Sequence, residues 1–184
     1  MRKFRTRIKA ITAALAAGVL AFSSTAALAQ QQAQQQAPQR PQFVTQFDNT
    51  IVTMLLQDVQ ATWQVEAAPD GNLNYRAQAD GGLNFTLAPR SCTPEAGCLG
   101  LMMLAVFTGV NAQNPAQLDA LIARLNDSSA TIKVFRDPQG IVILQSYANA
   151  AGGITYRNAQ AQLLLFGDDI VTVSRALAQF EQGR

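Results

Sequence analysis

At 184 residues, 48% of them hydrophobic and only 14% charged, the chain has the material for one apolar core. Its formal charge of +2 misleads: residues 1–29 hold five basic and no acidic side chains, leaving 9 basic against 12 acidic, a net of −3, for the rest. That mildly acidic remainder, with Lys133 its one lysine, has no electrostatic footprint for nucleic acid, and the lack of histidine excludes histidine triads and histidine-ligated zinc.

Residues 1–29 read as a secretory signal peptide. MRKFRTRIK is a basic n-region, AITAALAAGVLAF an apolar h-region shorter than a membrane span, and Ala27-Leu28-Ala29 a small-x-small cleavage site. Cleavage after Ala29 would start the mature protein at Gln30, in the bacterial periplasm or secreted, with no stable membrane insertion afterwards. Residues 30–42, QQQAQQQAPQRPQ, are glutamine-rich with two prolines and read as a disordered linker, because such a stretch has no apolar surface to bury. Residues 43–184 then form a single domain.

From Phe43 the apolar spacing turns helical: Val44, Phe47, Ile51, Met54 and Leu55 share a face, predicting a first helix to about Gln57. Strands follow at 61–67 and 72–78, separated by the Pro69-Asp70-Gly71 turn. Asp80-Gly81-Gly82 marks the next hairpin. Leu83, Phe85 and Leu87 alternate with polar residues in a third strand with one buried and one wet face. Residues 99–107 are almost wholly apolar, as in a central strand covered on both sides, although a buried helix has the same signature. Asn114-Pro115 opens a second helix as N-cap and N1, with Leu118, Leu121, Ile122 and Leu125 as its face. A hairpin at 131–136 and 141–147 turns at Asp137-Pro138-Gln139-Gly140.

The last segment, 154–180, carries the strongest pattern in the chain. Tyr156, Ala159, Leu163, Phe166, Ile170, Val173, Leu177 and Phe180 recur at steps of three and four, the stripe of an amphipathic helix with Thr155 as N-cap. The phase survives Gly167 and Asp168-Asp169, so one helix with a soft middle is expected. Leu164, Leu165 and Val171 lie well off this stripe. They need either the first helix beside them or a partner surface. The expected fold is α+β, an antiparallel sheet with helices on one side, in the order α-β-β-β-β-α-β-β-α.

Few residues offer chemistry. Cys92 and Cys98, an even and close pair in an exported chain, are expected to form a disulfide; a redox pair or a metal site are the sharper alternatives. A Ser–Lys dyad would have to combine Lys133 with Ser128, Ser129 or Ser146. Asp168 and Asp169 are adjacent on a helix and poorly placed to act as a pair. No phosphate loop or calcium loop is present, so no cofactor, metal or catalytic residue is assigned.

At the C-terminal half the chain resembles the YbjN family. The resemblance rests on Ile122-Ala123-Arg124-Leu125-Asn126, then TIKVFRDPQGIVILQSY, then Gly152-Gly153-Ile154-Thr155 before a closing amphipathic helix. Asn126, Lys133, Gly140, Gly152 and Gly153 fall where that family has them, and Cys92 matches a cysteine often found there. Leu125 stands where tryptophan is usual. The match spans residues 61–180. The resemblance implies a fold similar to class I type III secretion chaperones and a bacterial sensory-transduction regulator without a defined catalytic residue. It implies protein partners. The reading is therefore an exported, non-enzymatic protein-interaction or chaperone-like module, with a homo-oligomer left open. A carrier of a small apolar ligand, and a hydrolase with an unrecognised Ser or Asp site, are the alternatives.

Overall fold

The computed structural model describes residues 39–69, 71–110 and 115–183, and residues 40–184 form one compact unit. The expected signal peptide with its cleavage site after Ala29, residues 30–38 of the expected linker, and the N-cap Asn114 lie outside the described residues. Described elements run β1 (Phe43–Val44), α1 (Asn49–Asp58), β2 (Thr62–Ala67), β3 (Leu73–Gln78), a 3₁₀ turn (Asp80–Gly82), β4 (Asn84–Thr93), β5 (Gly97–Phe107), α2 (Pro115–Ser128), β6 (Lys133–Arg136), β7 (Val142–Asn149), β8 (Ile154–Thr155) and α3 (Tyr156–Gln182). The α-β-β-β-β-α-β-β-α order stands, with one two-residue strand added before the first helix and one before the last.

Six strands pair antiparallel in the order β2-β3-β4-β5-β7-β6, while β1 and β8 form a separate two-stranded ribbon. All three helices contribute to one hydrophobic core. Its sheet side includes Tyr75, Leu87, Leu101, Met103, Val134 and Leu144, and Phe85 meets Phe166 of α3 edge to face at 6.5 Å. This is the one-sided architecture that alternating strands and amphipathic helices require.

α1 corrects the first-helix expectation. Phe43 and Val44 pair with Thr155 and Ile154, and the helix begins only after Asp48, whose carboxylate accepts the Ile51 N–H at 2.9 Å. An N-cap carboxylate satisfies a donor that the helix cannot, so it sets the start more firmly than apolar spacing does. The buried face is Val52, Leu55 and Leu56; Ile51 and Met54 are half-buried, and Val44 and Phe47 are buried from the extended stretch before the helix. Gln60 takes a left-handed φ of 54°, and the Ala61 N–H reaches the Leu56 carbonyl at 3.0 Å, which closes the helix C-terminus.

β5 brings a second correction. It is the central strand expected, but helices cover one of its faces only. Leu101, Met103 and Ala105 are buried, whereas Met102 and Leu104 are half-buried and Val106 is exposed. An apolar run signals burial on both faces only where a second layer exists, and among the described residues none does.

α3 follows its pattern closely. Gly152 and Gly153 take φ of 78° and 86°, turning the chain where a side chain would be strained. Thr155 Oγ1 then accepts the Asn158 N–H at 3.1 Å, and the helix runs unbroken through Gly167. Tyr156, Ala159, Leu163, Phe166, Ile170, Val173 and Leu177 are all buried. At the opposite sheet edge, the Asn126 side-chain amide donates to the Val134 carbonyl at 2.9 Å and accepts the Val134 N–H at 2.7 Å. It pairs the edge strand as a neighbouring strand would.

Candidate functional site

The residues singled out from sequence separate into structural and open sets. Cys92 and Cys98 face each other across β4 and β5 and are joined as a disulfide that clamps the hairpin tip. Lys133 does not meet a serine. Its ammonium lies 5.6 Å from the Phe135 ring centroid, while Ser128 and Ser146 donate to backbone carbonyls and Ser129 bonds to Thr131. Burial, then the Asp168 charge, raises the Asp169 carboxyl above its ordinary value, and among the described residues the two aspartates belong to no cluster of three or more metal-ligating side chains.

A polar cluster that the spacing did not reveal sits where α1 ends and α3 begins. Asp58, its side chain 14% exposed, accepts from Arg40 Nε at 3.0 Å, from the Tyr156 hydroxyl at 2.7 Å and from Gln160 Nε2 at 3.2 Å. The Gln42 carbonyl also accepts the Tyr156 N–H, so residues 40–42 belong to the folded unit rather than to the linker. Burial works to raise the Asp58 carboxyl, yet the hydrogen bonds from Arg40 and Tyr156 outweigh it and hold the carboxyl below its ordinary range. Burial, and then the bond to Asp58, pushes the Tyr156 phenol up. Both groups move away from neutrality, the reverse of an acid–base pair. The cluster is a clamp. Its sequence signal was faint: an aspartate in the last turn of a helix, where the dipole disfavours it.

The open set is different in kind. Leu164 and Val171 are 53% and 38% exposed and line an apolar groove of about 250 Å³ along α3. The facing wall comes from Val59 after α1 and from Ala79, Asp80, Leu83 and Phe85 around the β3–β4 turn, and Gly167 lies in the helix between them. α1 does not cover these side chains. Leu165, 54% exposed, does not line the groove, since one residue along a helix turns about 100°. The three off-stripe residues are therefore two groove residues and one outward leucine. The opposite wall was illegible, because it is assembled from a hairpin turn distant in sequence.

Among the described residues no helix is long and apolar enough to cross a membrane. The family model named YbjN, "Putative bacterial sensory transduction regulator", matches residues 49–179. Among solved structures, the crystal structure of YbjN from E. coli, described as "a putative transcription regulator", is similar with a TM-score of 0.53 at 15% identity. The alignment covers 77% of this chain and 96% of that one, a likeness of fold. No curated protein matches the chain.

Proposed function

This chain belongs to the YbjN family, and from that premise we propose that it is an exported, non-enzymatic protein-binding module of regulatory or chaperone-like type. The observation that carries the reading is the groove beside α3, where large apolar side chains stand open to solvent on an otherwise well-packed helix. Contiguous exposed apolar side chains lining a groove are the kind of surface that a protein partner covers. At about 250 Å³ the groove falls below the roughly 300–1,000 Å³ of small-molecule pockets. It suits side-chain anchors of a bound protein segment better than an enclosed ligand. Export is supported by the n-region, h-region and Ala27-Leu28-Ala29 pattern, and a closed cysteine pair fits an oxidising compartment.

The test is made in the native host. A photo-crosslinking residue at Leu164 should give discrete protein adducts in the periplasmic fraction, on a chain whose intact mass begins at Gln30. The same residue at exposed Arg124, on α2, should give none. Adducts that are equal at both positions, or absent from both, would overturn the binding-module reading. A mass retaining residues 1–29 would overturn export alone.

A further inference from the structure

Gly167 lies in the middle of a 27-residue helix, in ordinary helical conformation, where glycine destabilises a helix relative to alanine. Packing among the described residues does not call for it. A Cβ built there meets nothing within 4 Å, since the position opens into the groove between Leu164, Val171 and the β3–β4 turn. A glycine with open space above it leaves the helix backbone approachable from outside. The groove's charge is as one-sided as its floor is bare. Among the described residues its ionisable lining is Asp80 and Asp168, one at each wall, with no lysine or arginine. Among the described residues neither carboxylate is in an ion pair. Val59, Leu83, Phe85, Leu163 and Ile170 supply apolar contact beneath this acidic rim.

We propose that this groove docks a segment of a partner protein that places large apolar side chains against Gly167 and flanking lysine or arginine against Asp80 and Asp168. The inference rests on the binding-module reading and adds the chemistry of the partner segment. Apolar anchors enter between Leu164 and Val171, where the missing Cβ allows a side chain to approach the α3 backbone. The basic flank fixes register, because a like-charged segment would be repelled at both walls. The same rim speaks against an acidic segment as the occupant.

Two peptides of one apolar pattern serve as probes: an amphipathic leucine–lysine 14-mer and its leucine–glutamate counterpart, each fluorescently labelled. The mature protein should bind the first at least tenfold more tightly than the second. Gly167→Leu, which fills the groove from a position with room for its Cβ, should lower that affinity at least tenfold. Its melting temperature should stay at or above that of the parent. D80K/D168K should reverse the preference between the peptides. Equal binding of both peptides, lysine-peptide binding unchanged by Gly167→Leu, or no binding of either would overturn the assignment. If adducts from position 164 persist in the host when Gly167→Leu is introduced, the groove inference falls and the binding-module reading stands. Absence of adducts in the parent sinks the reading itself.

Discussion

Asp58 shows how one side chain fastens three parts of the chain, since Arg40, Tyr156 and Gln160 all donate to its carboxylate. Its carboxyl is depressed, so its stabilising effect is present above the unfolded value near pH 4 and is lost as pH falls through the folded value. The Tyr156 phenol is raised, so its effect is full below about pH 10 and fades as pH rises beyond it. Asp58→Asn keeps an acceptor for Tyr156 and Gln160 but removes the charge that holds Arg40. It should cost about 1–3 kcal/mol at pH 7. The loss should shrink as pH falls below about 4, because the parent then loses the same charge. Urea titrations at pH 7 and pH 3 check it; an equal deficit at both would mean that ionisation of Asp58 is not what matters.

Helices and strands were legible to the extent that one local pattern decided them. The α3 stripe and its Thr155 cap were readable because a single period of about 3.6 residues persists through the helix. The start of α1 was not, since Val44 and Phe47 continue a helical spacing while their backbone pairs with, or lies near, distant strands: Val44 with Ile154, and Phe47 N–H with the Cys98 carbonyl at 2.7 Å. Long-range pairing overrode local period there. The groove was half legible on the same ground, Leu164 and Val171 from the helix pattern, Asp80 and Leu83 not at all. Asn126 is the reverse case, a residue marked by family resemblance whose task became plain only in the fold. It ties α2 to β6 through both backbone groups of Val134, and Arg136 on β6 bonds to Asp119 of α2 at 3.1 Å. Asn126→Asp retains the acceptor for the Val134 N–H and sets a carboxylate oxygen against the Val134 carbonyl. A loss of about 1–3 kcal/mol is expected, with faster hydrogen exchange in β6 than in the central strands. Unchanged exchange across β6 would show that the edge strand holds without this amide.

At the largest scale described, residues 40–184 make a sheet with a helical layer on one side, and the most apolar strand, β5, shows what that asymmetry does. Successive side chains of a strand point to opposite faces, so neighbouring residues of one sequence run meet very different surroundings. Met103 is 1% exposed against the helices, whereas Val106, three residues on, is 56% exposed on the other face. Both are apolar, so composition alone cannot distinguish the dry face of β5 from the wet one. Met103→Ala removes side-chain volume from a packed interior and should cost about 2–5 kcal/mol. Val106→Ala gives up strand propensity and partial contact alone, and should cost less than about 1 kcal/mol. Chemical denaturation of the two variants, compared at matched slope, measures the sidedness of the sheet directly. If both cost several kcal/mol, the open face is covered in solution, and a second copy or another part of the chain must supply the cover. A stable difference between them, unchanged over a hundredfold range of protein concentration, leaves β5 with one dry face and one wet one, and leaves the exposed Val106 uncovered in solution.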